Sequence, residues 1–325
     1  MFTLGLSGDT MLGRKVAERL ERDPPAALFA EDLVTVAHEA DLLVVNLECC
    51  ISERGERWPD PAKPFFFRAP PRALDALALL GVGAVTLANN HALDYDVAAL
   101  LDTLDLLDDA GIACVGAGQD LERARAPAEL DVAGTRIAVV GLTDHPEDFA
   151  AGPSRPGVAH ADLRSEVPEW VAATVGAVDA DVVLVTPHWG PNMTAEPVSH
   201  VRRAAPAVVA AGATLVAGHS AHVFHGVRTL DRDGAPVPVL YDLGDFIDDY
   251  AVDPRLRNDH GLFWLLRLDG ARPVRLEAVP IFLDYCYTRL ARREEAAWIR
   301  RRFRDACAAM GTEATEEDGR LVVTW

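Results

Sequence analysis

The chain has 325 residues, half of them hydrophobic, which excludes global disorder and fits one large α/β domain or two small ones. Its formal charge of −19 disfavours nucleic acid, whose phosphates require clustered Lys and Arg, and only Lys15 and Lys63 are lysines. Cys49, Cys50, Cys114, Cys286 and Cys307 lack C-x-x-C spacing and read as reduced, mostly buried thiols; with no apolar run near the roughly 20 residues that span a bilayer and no leader-like segment, a soluble cytoplasmic protein is expected.

Short apolar, β-branched runs alternate with stretches of helical periodicity, the pattern of a βαβ-rich α/β fold. In chain order, a strand over 2–7 leads to helices over 14–22 and 31–39, then a strand over 41–46, a helix over 70–80 and a strand over 82–87. A helix over 95–110, a strand over 112–115 and another over 136–142 follow. In the 95–110 helix, Leu100, Leu101, Leu104 and Leu107 make one apolar face that packs on a sheet. Next come a helix over 162–178, a strand over 181–186, a helix over 199–211, and strands over 213–217, 237–242, 262–268 and 274–280. The Pro- and Gly-rich stretches 58–71 and 146–157 read as loops, because the alternation resumes after each. Residues 1–285 are expected to form the principal domain. Residues 286–325, with a helix over 289–310 and a strand at Leu321-Val322-Val323, pack on it.

Five of these strands end in metal-type or acid-base residues: Ser7-Gly8-Asp9, Asn46-Leu47-Glu48, Asn89-Asn90-His91, Pro187-His188-Trp189-Gly190 and Gly218-His219-Ser220-Ala221-His222. Ligands of open α/β sheets bind at the carboxyl ends of strands, so these residues are expected to converge. Each alone has an ordinary explanation: Asp9 could cap a helix, Asn90 could sit in a turn, and His188 could be a core histidine. Five coincidences at strand ends argue for one shared site. Imidazole, carboxylate and carboxamide donors suit one or two divalent ions of Mn, Zn or Fe, with Glu48 able to bridge a pair. His91, beside Asn90, is placed to protonate a leaving group. Thr143-Asp144-His145 follows another strand and could add Asp144 and His145 to the crevice or form a turn, and His225 could act as an acid-base or supporting residue.

The motifs Gly8-Asp9-Thr10-Met11-Leu12-Gly13-Arg14, Asn46-Leu47-Glu48, Ala88-Asn89-Asn90-His91-Ala92-Leu93-Asp94, His188-Trp189-Gly190, Gly218-His219-Ser220-Ala221-His222-Val223 and Tyr241-Asp242-Leu243-Gly244-Asp245-Phe246 resemble, in order, those of the CapA family, over roughly residues 2–250. That family is named for poly-γ-glutamate capsule synthesis and belongs to the calcineurin-like metallophosphoesterases. The resemblance implies a four-layer α/β/β/α sandwich of two mixed sheets with a metal centre at the strand ends. It implies Asp9, Glu48, Asn90, His188, His219 and His222 as metal ligands, with Asp9, His91 and His222 in catalysis. Asp9, Glu48 and His222 would hold a first ion, and Asn90, His188 and His219, with Glu48 or Asn46, a second. Phe67-Arg68-Ala69-Pro70 also resembles a family segment, which makes Arg68 or Lys63 a candidate for an anionic group. Three departures stand out. Met11 occupies the histidine position of the Asp-x-His usual in metallophosphoesterases; Pro191-Asn192-Met193 follows His-Trp-Gly where the family commonly has a glutamate; and Asp242 and Asp245 make the last motif more acidic than Tyr-Ser-Leu-Gly-Asn-Phe.

Three functions follow for a small-molecule, peptide or polymer substrate. The first is a metal-dependent hydrolase of a phosphoester or related bond, with His91 as general acid. The second is a role in synthesis or transport of poly-γ-glutamate or another capsule polymer. The third, suggested by the missing histidine, is a metal-independent acid/base enzyme such as a peptide epimerase. Oligomeric state is not legible in the sequence.

Overall fold

Leu42–Leu47 and Val182–His188 are buried along their whole length, as strands are when helices and a second sheet cover both faces. The computed structural model, which describes all 325 residues, places them at the centres of two mixed sheets. The first, of ten strands, runs in the order Thr315–Glu317, Arg320–Thr324, Arg272–Leu283, His260–Asp269, Phe2–Thr10, Leu42–Leu47, Val82–Thr86, Ala113–Val115. Asp245–Ile247 pairs with the end of Phe2–Thr10, and Thr288–Leu290 with Arg272–Leu283. The second sheet, of six strands, runs Val227–Arg232, Ala235–Leu240, Leu215–Ala217, Val182–His188, Thr135–Thr143, Ala128–Val132. In both sheets the strands that carry the candidate residues are parallel to one another, so their carboxyl ends lie on one side.

Three apolar layers separate four layers of structure. Val16, Leu33, Leu77 and Leu100, from four helices, pack on Leu43, Val45 and Val85 at the outer face of the first sheet. Leu4, Leu6 and Val44 meet Val139, Leu184 and Leu215 between the sheets. Val171, Val201, Ala205 and Val208 cover Val140, Val183 and Val185 on the outer face of the second. The expected α/β/β/α sandwich is therefore the fold found.

Two expected elements differ. The helix foreseen over 162–178 begins only at Glu169, because Pro168 keeps the chain before it extended, with Pro168 itself at ψ 143°. The helix foreseen over 289–310 is preceded by the strand Thr288–Leu290 and runs Arg293–Ala309. Its start is set by Glu295, whose carboxylate accepts the Arg292 N–H at 2.8 Å. Ile299, Phe303 and Cys307 of this helix enter the core between the sheets, and Arg320–Thr324 pairs with Arg272–Leu283. Ala133-Gly134 and Asp233-Gly234, all with positive φ, turn the hairpins Ala128–Val132/Thr135–Thr143 and Val227–Arg232/Ala235–Leu240, whose outer strands the periodicity did not reveal. All five cysteines are free, and four are buried. No helix is long and apolar enough to cross a membrane.

Candidate metal centre

Asp9 lies at the junction of three strands. The strand Phe2–Thr10 pairs it with Asn46 on one side and Asp245 on the other. This strand can approach the Gly244 turn so closely only because Gly8 has no side chain: a Cβ there would lie 1.7 Å from the Gly244 carbonyl oxygen. Asn46 donates to Asp9 Oδ1 at 2.7 Å, and its own oxygen accepts from Asn89 at 2.9 Å. Asn46 thus spends both ends of its amide on orienting Asp9 and tying the second strand to the Asn89-Asn90-His91 turn.

The second sheet brings its histidines across to the same point. His188 and His219 face each other across a parallel bridge between their strands. His219 Nε2–H donates to the Thr186 hydroxyl at 3.0 Å, which leaves Nδ1 facing Asp9 Oδ1 at 3.5 Å. His222 lies between two carboxylates, with Nδ1 2.8 Å from Asp245 Oδ1 and 3.2 Å from Asp9 Oδ2. The loop that presents it is strained, with Ser220 at φ 110° and His222 at φ 59°. Asp242 holds that loop in place by accepting the backbone N–H groups of Ala221 at 2.7 Å and Gly244 at 2.9 Å.

Ligand atoms of Asp9, Glu48, His222 and Asp245 all lie within 4.8 Å of one another, in complete burial. Asp9 Oδ2, Glu48 Oε1, Asn90 Oδ1, Asp245 Oδ2, His219 Nδ1 and both ring nitrogens of His188 are buried without a hydrogen-bond partner. Buried polar atoms are normally satisfied, so this many orphans in one place form a donor set that could hold a metal ion. They are hard oxygen and imidazole donors, which fit a divalent transition ion.

The charge balance agrees. Burial pushes the Glu48 carboxyl well above its ordinary value, and neighbouring Asp9 adds to the shift. Burial likewise raises Asp245, against the pull of His222. Burial also works to raise Asp9, but the adjacent imidazoles of His219 and His222 outweigh it and hold it low. His222 is driven well above its ordinary value against burial, chiefly by Asp245 and Glu48, while burial with His145 nearby holds His188 low. Several acids therefore share one internal cation, His222.

His91 stands at the edge of this cluster. Its Nδ1–H donates to Asp94 Oδ2 at 2.6 Å, its ring stacks on Phe67 at 3.9 Å, and Nε2 makes no bond within the chain. Burial holds the imidazole below its usual value even beside Asp94. Lys63, a candidate for binding an anion, is instead turned inward: its ammonium donates to the Asn90 carbonyl at 2.7 Å and lies 2.9 Å from Asp94 Oδ1. Arg68 donates to the carbonyls of Arg54 and Gly55 and lies over the Tyr95 ring at 4.0 Å, facing a surface pocket rather than the donor cluster.

Asp144 and His145 do reach the crevice. The His145 and His188 rings are 5.2 Å apart, and Asp144 accepts from His145 at 2.5 Å, His200 at 3.0 Å and the Gly190 N–H at 2.9 Å. Exposed Asn192 lines the polar hollow beside them. His225 is buried, but its ring bonds the Thr194 carbonyl at 2.8 Å, so it braces a loop and does not face Asp9. Met11, which stands at the histidine position of the first motif, is fully buried in the apolar layer under the helices.

Sequence reasoning missed Asp94, Phe67, His200, Thr186 and Tyr250, whose hydroxyl lies 3.4 Å from Glu48 Oε2. Asp94 was within reach, since His91 and Asp94 are three residues apart in one turn. Phe67 stood in the Phe67-Arg68-Ala69-Pro70 segment without a role, and Thr186 lies on the strand of His188; His200 and Tyr250 come from distant segments and left no local trace.

A family described as bacterial capsule synthesis protein PGA_cap matches residues 3–250. A probable polyglutamine synthesis accessory protein of Mycobacterium tuberculosis is 30% identical to the chain, over 92% of this chain and 89% of that protein. The PGA biosynthesis protein CapA of Bacillus subtilis is 28% identical over 84% of this chain and 70% of its own length. Among solved structures, a hypothetical protein from Thermus thermophilus superposes with a TM-score of 0.50 at 16% identity, covering 86% of this chain and 98% of that one, a likeness of fold alone.

Proposed function

The chain belongs to the bacterial capsule synthesis protein family, PGA_cap, and from that premise we propose that it is a metal-dependent hydrolase of a phosphoester or a related bond. The observation that carries this reading is the set of buried, unpartnered donors of Asp9, Glu48, Asn90, His188 and His219, beside a cluster of carboxylates short of positive charge. Asp9, Glu48, His222 and Asp245 would hold one ion, and Asn90, His188 and His219 would hold a second. A bound divalent ion would supply Lewis acidity and acidify a coordinated water.

The remaining chemistry belongs to the chain. His91 is fixed in one tautomer by Asp94, so its free Nε2 is the atom that can take up the proton released by the attacking water and hand it to the departing oxygen. Lys63 and the Phe67 N–H, which donates to Asp94 at 2.6 Å, hold Asp94 in place. Phe67 and Tyr250, stacked with ring centroids 5.7 Å apart, cover the His91 and Glu48 side and keep bulk water from it.

The test is metal content together with turnover. Elemental analysis should find one or two ions per chain, and p-nitrophenyl phosphate hydrolysis should fall on chelation and return with Mn²⁺ or Zn²⁺. A purified, folded protein that holds no ion and takes up none would overturn the proposal and favour metal-free acid/base chemistry. The names of the Mycobacterium and Bacillus relatives support a second reading, a role in making or moving a capsule polymer. In that case polymer binding survives His188→Ala, whereas a hydrolase that cleaves the polymer loses turnover.

A further inference from the structure

Apart from the donor cluster, the strongest unexplained charge in the molecule is Arg302. It sits on the C-terminal helix with its guanidinium between the Phe224 and Trp298 rings, 5.6 and 5.7 Å from their centroids. Nη2 donates to the Ala195 carbonyl at 3.2 Å, Nε is buried without a partner, and Nη1 makes no bond within the chain. No carboxylate lies within ion-pair distance, in a protein whose net charge is −19. Burial draws the guanidinium below its ordinary value, against the pull of the more distant Glu196.

A cavity of about 320 Å³ opens beside it, lined also by Arg301, Trp298, Ala306 and Met310 and by the acids Glu196 and Asp305. Arg301 has no acidic partner either. The third arginine on the wall, Arg202, is already satisfied by Glu196 at 2.9 Å and the Pro197 carbonyl at 2.8 Å. Two planar cations with no acid within ion-pair distance, an indole ring and an apolar floor make up the recognition chemistry for a small oxyanion with a flat apolar body, against which the wall acids Asp305 and Glu196 work. The volume is at the low end for small-molecule sites.

The position of the cavity gives it a second meaning. Its walls are the backs of the two loops that carry the second sheet's histidines. Ala195 and Glu196 follow Gly190 in the loop after His188, and the Met193 N–H of that loop donates to the Ala221 carbonyl at 3.0 Å. Gly226 closes the His219–His225 loop and is pressed against the helix so tightly that a Cβ would lie 2.3 Å from the Ala306 carbonyl oxygen. His225 ties the loops together through the Thr194 carbonyl.

We propose that the cavity between Arg301, Arg302 and Trp298 is an oxyanion-binding site, separate from the metal donors, whose occupant braces the loops of His188 and His219–His222 from behind. The shared ligand chemistry is a carboxylate or phosphate-type head on an aromatic or apolar body. It supplies the counter-charge that Arg302 lacks, and the ring lies against Trp298.

The test uses the full-length, metal-stripped chain, so that anions cannot bind through an ion. Phenylphosphonate and benzoate are titrated separately by calorimetry, which distinguishes a phosphate-type from a carboxylate head. Saturable one-to-one binding of at least one probe is expected, weakened tenfold or more by Arg301→Gln and by Arg302→Gln and little changed by His188→Ala. Arg301 is exposed, so its variant folds whatever happens to Arg302→Gln, and it keeps the test decisive. Amide exchange at 191–195 and 219–225 should slow when the probe is bound. Absence of binding by both probes, equal binding by the Arg301→Gln variant, or binding lost only in His188→Ala would overturn the proposal. None of these readouts depends on hydrolysis, so the metal-centre reading and this one fail separately.

Discussion

Lowering the pH should destabilise the protein through one identifiable side chain, His225. Its Nε2–H donates to the Thr194 carbonyl at 2.8 Å, and Nδ1 is buried without a partner. Burial is the dominant influence and holds its pKa at about 4, down from the ordinary 6.5, with the Thr194 bond pulling weakly the other way. Because the folded value lies below the unfolded one, the unfolded chain protonates first as the pH falls. The stability held by the neutral ring is whole above about pH 6.5 and drains away between there and about pH 4. In full the shift corresponds to about 3 kcal/mol, of which about 2 kcal/mol is lost between pH 7 and pH 5. His225→Gln keeps an N–H for Thr194 and removes the titration. Urea unfolding of the metal-free protein at pH 7 and pH 5 should show wild type losing about 2 kcal/mol more than the variant. Equal losses would refute the assignment, because other titrating groups are common to both chains.

Further predictions concern the metal centre and its frame. Glu48→Gln removes one of several crowded, buried carboxylates, so the metal-free protein should gain about 1–2 kcal/mol in thermal unfolding while metal uptake by elemental analysis falls. Asp94→Asn places an amide where one carboxylate oxygen now accepts from both His91 and Phe67; hydrolytic kcat should drop about 10²–10⁴-fold with metal content unchanged. Gly8→Ala would drive a methyl into the Gly244 carbonyl, and a loss of more than about 4 kcal/mol, or failure to fold, is expected by circular dichroism.

The order of the elements was legible because the fold is built on local regularities. Buried parallel strands such as Leu42–Leu47 and Val182–His188 must be continuous apolar runs, and helices such as Ala73–Leu80 must show an apolar face. The hairpin strands Ala128–Val132 and Val227–Arg232 escaped because they are partly exposed and polar at sheet edges, where periodicity is weak. Their Ala-Gly and Asp-Gly turns were the readable clue.

The candidate site divides in the same way. Asp9, Glu48, Asn90, His188, His219 and His222 could be picked out from sequence because each follows directly on a strand, and parallel strands deliver their ends to one place. What those side chains do there was decided by tertiary contacts. Asn46 is spent on orienting Asp9, and Lys63 on the Asn90 carbonyl and Asp94; Asp242 holds backbone N–H groups, while Asp245 stands against His222. Residues such as Tyr250, 202 positions from Glu48, and His200, 56 from Asp144, meet their partners only when segments distant in the chain are brought together within one sheet and its covering helix. Strand and helix pattern are short-range properties of the chain and can be read from it. Which donor remains unpartnered in a buried site depends on every neighbour that packing brings within about 3 Å, and only the folded chain determines that.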